Sequence, residues 1–281
     1  MNAHAYAKIN LGLHIVGKRP DGYHNIETIF HRINLFDEIN IENSDHISIV
    51  CTDPSVPTDS SNHCWKAVDL LRNELGITAG AAITIEKHIP LGAGLGGGSS
   101  NAATVLTLLP RLWNIAVEPS VLQSVALRIG SDVPYFLNGS TAYAEGRGEV
   151  LTPVPVSLPY WIVLVNPNIH ISTPWAYSAL AVQRNGMFPN RPKMLELFTS
   201  DPIKTILSSE NDFEPVVFDA HLKIKKIKLQ LKELGAVLSL MSGSGSSMFG
   251  LFDDMVSALK AVQFFNKEHF VHLTEPNFSP N

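Results

Sequence analysis

Pro90-Leu91-Gly92-Ala93-Gly94-Leu95-Gly96-Gly97-Gly98-Ser99-Ser100 is the stretch on which the reading of this chain turns. Five of the seven positions from Gly92 to Gly98 are glycine; stripped of side chains, consecutive backbone N–H groups can turn inward around an anion. Residues 82–88 before the loop alternate as a strand does, and Asn101 to Trp113 after it has helical character. The order strand, glycine loop, helix adds the positive end of a helix and its unpaired N–H groups to the same anion. Ser99 and Ser100 are suited to cap that helix, bond a phosphate oxygen or stand beside a metal ion. The composition and placement predict phosphate binding rather than a plain structural linker.

Several phosphate sites share such glycines. Gly92, Gly94 and Gly97 formally satisfy G-x-G-x-x-G, but a dinucleotide fold also needs an acidic residue ending a strand ~20 residues on. The nearest candidate, Glu118, instead precedes Pro119 at a helix start. No Gly-Lys-Ser or Gly-Lys-Thr closes the loop, which excludes a Walker A site, and neither His-Arg-Asp nor Asp-Phe-Gly occurs in the chain.

The rest of the chain is that of an ordinary globular protein. Its 281 residues suggest about two domains at ~150 residues each. Apolar residues make up 45% and charged ones 17%, which favours compact folding over disorder. The net charge of −5, without long basic runs, argues against a general nucleic-acid or anionic-membrane surface. Cys51 and Cys64 lack a CxxC spacing, and none of the 11 histidines lies in an H-E-x-x-H pattern, so neither a disulfide scaffold nor a zinc site is expected. Lys8 and Asn10 interrupt the apolar run a signal peptide would need, and no window reaches ~18 apolar residues. A cytoplasmic location is expected.

Residues 5–16 alternate, with Ala5, Ala7, Ile9, Leu11, Leu13 and Ile15 on one face and Tyr6, Lys8, Asn10, Gly12 and His14 on the other. That pattern predicts a strand with one buried face, on which Lys8 and Asn10 stand ~6.6 Å apart on the opposite side. A turn at Arg19-Pro20-Asp21-Gly22 precedes β-type segments at 26–36, 38–42 and 46–51. Asn62 is placed to cap a helix that Gly76 ends, and Pro119 to open one that Gly130 ends. Three prolines between Thr152 and Pro159 mark the domain boundary, giving domains over 1–152 and 160–281. Beyond it come a strand at 161–165, a helix near 174–183, a weakly patterned region, a helix at 222–234, strands at 237–241 and 247–252, a helix at 255–266 and a strand at 270–274. Strands and helices mixed without regular βαβ alternation indicate an α+β class.

The loop from Pro90 to Ser100 resembles the ATP-phosphate loop of the GHMP kinase superfamily. Ala7-Lys8-Ile9-Asn10-Leu11 and Ser242-Gly243-Ser244-Gly245-Ser246-Ser247 match two further superfamily motifs in the expected order. Asp21-Gly22-Tyr23-His24, the long run Gly96 to Ala103 and Gly130-Ser131-Asp132-Val133-Pro134 resemble the branch that acts on a cytidine diphosphate sugar alcohol in non-mevalonate isoprenoid synthesis. Ser131 departs from the alanine expected there.

The resemblance implies a ribosomal-protein-S5-like N-terminal domain, a ferredoxin-like C-terminal domain, and ATP with magnesium as co-substrate. It implies ATP contacts from Gly92, Gly94, Gly96, Gly97, Gly98, Ser99 and Ser100, and adenine contacts from Asn62 and Lys87, for which helix capping and solvent exposure are the rival roles. It implies Asp132 as general base with Lys8 as its cationic partner, and it brings the Ser242–Ser247 turn toward the phosphates. On the acceptor side it has Tyr23 stack on cytosine, His24 bond the base edge, Tyr177 rather than Trp175 close the other face, and Asn10 bond the sugar-alcohol hydroxyls. No carboxylate cluster identifies a magnesium ligand. The alternatives are another kinase of the superfamily, such as one acting on homoserine, a nicotinamide-dependent oxidoreductase, and a nucleotide-binding protein without catalysis.

Overall fold

The computed structural model describes residues 1–137, 139 and 141–280. Its first half runs β1 (Asn2–Lys18), β2 (His24–Ser44), β3 (Ile47–Cys51), α1 (His63–Leu75), β4 (Gly80–Glu86), α2 (Gly97–Leu112), α3 (Pro119–Ile129), α4 (Val133–Leu137), β5 (Thr141–Gly146) and β6 (Val150–Pro153). The second half runs β7 (Trp161–Asn166), α5 (Thr173–Gln183), α6 (Met194–Ser200), α7 (Pro202–Leu207), α8 (Glu214–Ala220), α9 (Leu222–Glu233), β8 (Leu238–Met241), β9 (Met248–Phe252), α10 (Met255–Phe265) and β10 (Phe270–Thr274).

Two compact units divide the chain discontinuously. The first comprises Met1–Ala7, Leu35–Ile89 and Gly96–Gly139. In it β4 runs antiparallel to the second part of β2, with Ile39 opposite Ile85, and β3 runs parallel to β4, with Ile49 opposite Ile83. The inward side chains of these strands and of α1 and α2, among them Ile41, Ile83, Val68, Leu71, Val105 and Leu106, form its core. Helix α1 ends as its sequence dictates: the Asn62 side chain accepts the Cys64 N–H, and Gly76 at φ 64° turns its own N–H back to the last carbonyls.

The second unit comprises Lys8–Asn34, Pro90–Leu95 and Ser140–Asn281. The first part of β2 pairs with β5, and β5 with β6, all antiparallel. A separate antiparallel sheet has the order β10-β7-β9-β8, and its apolar face shares a core with Leu13, Ile15, Ile224, Ile227, Ala258 and Phe265. Mixed pairings of this kind meet the α+β expectation, and the described strands form no doubly wound parallel sheet.

Four local expectations are corrected. Both faces of β1 are buried around Lys8 and Asn10, which are only 4% and 2% exposed, so this is not a strand with one solvated face. Residues 26–36 and 38–42 are one continuous strand, because Asp37 between them is fully buried and hydrogen-bonded. Helix α2 begins at Gly97 rather than Asn101, since tertiary context overrides the ~1 kcal/mol helix penalty of each glycine. Finally, α4, β5 and β6 escaped sequence reading, and the weakly patterned region holds the short helices α6, α7 and α8. Two of these open with Pro202 and Pro215 in the first turn, a start signal drowned by the shortness of the segments.

Candidate active site

Within the second unit the loop carries Gly92 at φ 58° and Gly94 at φ 76°, both in the left-handed region. At Gly94 a Cβ would lie 2.1 Å from the Ser242 carbonyl oxygen, so close approach as well as φ demands glycine. The Ser242–Ser247 turn is held there: the Ser242 hydroxyl donates to the Gly94 carbonyl at 2.9 Å, and the Ser247 N–H to the Ala93 carbonyl at 3.3 Å. The turn is thus fixed directly against the loop. Asn211 secures its other side, its amide nitrogen donating to the carbonyls of Met241 at 2.7 Å and Gly243 at 2.8 Å.

Strand β1 supplies the charge. The Lys8 N–H donates to the Leu95 carbonyl at 3.0 Å, which fixes the strand along the loop. The Lys8 ammonium donates to the Asn10 Oδ1 at 2.7 Å and to the Gly94 carbonyl at 3.1 Å, and lies 5.0 Å from the centre of the Phe30 ring. Lys8 and Asn10 are therefore direct partners, and the Asn10 oxygen already serves the ammonium. The Asn10 amide nitrogen donates to Thr28 Oγ1 at 2.8 Å.

In the first unit, Gly96 at φ 69° precedes α2 without any side-chain cap, and the Ser100 N–H makes the helical bond back to the Gly96 carbonyl at 2.8 Å. The N–H groups of Gly97, Gly98 and Ser99 therefore belong to the first turn, which has no intrahelical acceptors, the arrangement that binds anions. Ser99 and Ser100 lie inside this turn instead of capping it, and the Ser100 hydroxyl donates to the Tyr6 carbonyl at 2.7 Å. Asp132 lies half-buried in the turn between the Gly130 end of α3 and the start of α4.

The two adenine candidates have structural duties. Asn62 caps α1 with its oxygen and donates to the Pro57 carbonyl at 2.6 Å with its nitrogen. Lys87 pairs with buried Asp37 at 2.8 Å.

Two base-binding candidates, His24 and Tyr177, form part of a ring cluster in the second unit. His24 and Tyr177 stack on each other, with centroids 4.6 Å apart and planes at 15°. Tyr177 also meets Phe213 edge-on at 4.9 Å. Burial, aided by Lys18, holds His24 below the ordinary imidazole range. Tyr23 is 56% exposed, with the Arg147 guanidinium 4.9 Å from its ring centre. Trp175 faces His221 instead.

Sequence reading missed Asp37, Thr28, Asn211 and Arg147. Thr28 had one signal: it shares the inward period of Ile26 and Phe30, where a hydroxyl must find a partner. Asn211 lies in the region without periodicity and offered none.

Comparison with known proteins agrees with this geometry. The family model for the GHMP kinases N terminal domain matches residues 62–140, and that for the GHMP kinases C terminal matches residues 195–272. A protein of Chlorobium phaeobacteroides (strain BS1) named 4-diphosphocytidyl-2-C-methyl-D-erythritol kinase is 47% identical over 98% of this chain and 97% of its own length. Its namesake in Chlorobium chlorochromatii (strain CaD3) is 44% identical over 99% and 97%. A crystal structure of 4-(cytidine 5'-diphospho)-2C-methyl-D-erythritol kinase superposes with TM-score 0.81 at 32% identity, covering 99% of this chain and 100% of the other. Homoserine kinase from Cytophaga hutchinsonii shares the fold, with TM-score 0.72 at 19% identity over 96% and 95% of the two chains. The chain belongs to the GHMP kinases and, among them, to the family of 4-diphosphocytidyl-2-C-methyl-D-erythritol kinases.

Proposed function

We infer that the chain transfers the γ-phosphoryl group of ATP to the 2-hydroxyl of 4-diphosphocytidyl-2-C-methyl-D-erythritol, in the non-mevalonate synthesis of isoprenoid precursors. The observation that carries this reading is the full-length agreement with relatives bearing that name. The glycine loop, with left-handed residues at 92, 94 and 96 and an uncapped helix start, supports it independently. Such transfer needs the phosphoryl group positioned, its charge offset and the acceptor hydroxyl relieved of its proton. In this reading the main-chain N–H groups of residues 92–100 hold the phosphates. Asp132 takes the hydroxyl proton on its carboxylate, and the Lys8 ammonium offsets the negative charge developing on the acceptor oxygen. Neutral His24 has one ring nitrogen to donate and one to accept, which suits a pyrimidine edge, while Tyr23 and Tyr177 offer ring faces. Asn62 retains an N–H beyond its capping bonds for adenine, and Lys87 retains a third ammonium N–H beyond those given to Asp37 and the Ile89 carbonyl.

A magnesium ion bound with ATP supplies charge neutralisation and keeps several waters. The Ser99 and Ser100 hydroxyls fit as its protein contacts: with its hydrogen given to the Tyr6 carbonyl, Ser100 Oγ keeps its lone pairs for a cation. The one cluster of three metal-capable side chains among the described residues, Glu38, Glu86 and His88, is exposed and outside the loop. No described helix is long and apolar enough to cross a membrane; a cytoplasmic location and the sequence division at 152–160, whose C-terminal part ends at residue 281 outside the described residues, complete the proposal. A coupled ADP-release assay offering the cytidine substrate, homoserine and mevalonate tests it. ADP release at least 100-fold faster with the cytidine substrate is expected; a preference for homoserine or mevalonate would overturn the assignment.

A further inference from the structure

Thr28 is fully buried on β2. Its hydroxyl donates to the Gly12 carbonyl at 2.6 Å. A carbonyl cannot donate in return, so the single hydroxyl hydrogen is spent and Thr28 Oγ1 can only accept. The Asn10 side chain meets that oxygen at 2.8 Å. Only the nitrogen end of the amide can make this contact, so Asn10 Oδ1 is turned to the Lys8 ammonium, 2.7 Å away. The ammonium is in turn seated on the Gly94 carbonyl, which the Ser242 hydroxyl also contacts.

We propose that Thr28 is a positioning residue for phosphoryl transfer: through the one-way chain Gly12–Thr28–Asn10 it locks the amide that holds the Lys8 ammonium against the phosphate loop. The inference rests on the catalytic role proposed for Lys8. Three features make the chain directional. Its members are all but fully buried, so water is a poor substitute partner. Every link has the hydrogen on a known side, which fixes an amide that could otherwise face either way. The links also cross between β1 and β2, coupling the strand that bears Lys8 to its neighbour by side chains as well as by the ladder. Replacing the hydroxyl by a methyl of the same shape leaves a buried Asn10 N–H unpartnered, which favours another side-chain rotamer and withdraws one acceptor from the ammonium.

Full-length wild type, Thr28→Val and Thr28→Ser are compared in two assays. In steady-state kinetics, Thr28→Val is expected to lower kcat about tenfold or more with both KM values within twofold, and Thr28→Ser, which keeps the hydroxyl, to recover kcat to within threefold of wild type. Reductive methylation followed by mass spectrometry of the Lys8 peptide needs no substrate; Thr28→Val is expected to raise the rate at Lys8 at least fivefold. If Thr28→Val does not fold, Thr28→Ala is read by the same criteria. A folded hydroxyl-free variant with kcat within twofold of wild type, or loss of kcat in Thr28→Ser equal to that in Thr28→Val, overturns the proposal. If wild type itself transfers no phosphoryl group, the proposed function fails, and Lys8 methylation alone decides the positioning: a rate unchanged by loss of the hydroxyl defeats it.

Discussion

The Lys87 ammonium donates to Asp37 Oδ2 at 2.8 Å, and the two side chains are 4% and 0% exposed. The other Asp37 oxygen accepts the N–H groups of His88 and Ile89, each at 2.8 Å. One carboxylate therefore anchors the backbone at the point where the chain leaves β4 for the glycine loop. Removing one partner of a buried pair strands the other charge, at a cost of ~3–5 kcal/mol. Lys87→Met is expected to lower the unfolding free energy by about that amount in urea titrations, and adding Asp37→Asn should recover part of it. A variant with unchanged stability but a raised KM for ATP would instead make Lys87 an adenine contact.

Glycine is required at some loop positions and only convenient at others. Gly94→Ala combines a left-handed φ with a Cβ 2.1 Å from a backbone oxygen, so neither the loop nor the Ser242 turn can stay in place. Gly98 has no positive φ, and a Cβ there meets only His63 Nδ1 at 3.8 Å. Gly94→Ala is expected to abolish ATP binding in calorimetry, and Gly98→Ala to keep it within a few fold. Equal losses in both would mean that flexibility, not the shape of the loop, matters.

The contrast explains what could be read from the sequence. Asn62, Gly76, Pro119 and Gly130 act on their own neighbours, so the ends of α1 and α3 were legible locally. The glycine loop was legible because its chemistry is that of consecutive N–H groups. Asp37 was not legible because its partners lie 50 to 52 residues away, at Lys87, His88 and Ile89, and separations of 30 and 32 residues likewise hid Asn211, whose acceptors lie on Met241 and Gly243. Lys8 and Asn10 could be placed on one face by period two, but their burial depends on residues that pattern does not reveal.

Asp132→Asn separates binding from chemistry. The amide keeps the size of the side chain and loses its capacity to take a proton. ATP binding should remain within a few fold, while kcat falls by at least ~100-fold, the low end of general-base catalysis. Near-normal turnover would remove Asp132 from the mechanism.

The base-stacking role proposed for Tyr177 can be separated from its packing by substitution. Its ring stacks on His24 at 4.6 Å and is propped by Phe213. Base–aromatic stacking contributes ~1–3 kcal/mol, so Tyr177→Ala is expected to raise KM for the cytidine substrate about tenfold or more, while Tyr177→Phe stays near wild type and KM for ATP is unaffected by either. CDP should inhibit wild type competitively against that substrate and lose potency in parallel in Tyr177→Ala; undiminished inhibition would place the base elsewhere.

His31 predicts how stability follows pH. The ring is buried on β2, its Nδ1 2.8 Å from Thr141 Oγ1, and burial pushes its pKa down to about 4 from the ordinary 6.5. Above pH 6.5 the imidazole is neutral in both states, and its full contribution to stability is present. As pH falls from 6.5 toward 4 the unfolded chain takes up a proton that the folded one refuses, so stability is lost across that window, with a slope of up to ~1.4 kcal/mol per pH unit from this group. His31→Asn keeps a polar partner for Thr141 and removes the titration. Urea midpoints measured between pH 7.5 and 4.5 should therefore fall less steeply for His31→Asn than for wild type, with the two curves running parallel above pH 6.5; identical slopes below it would mean that His31 is protonated in the folded protein.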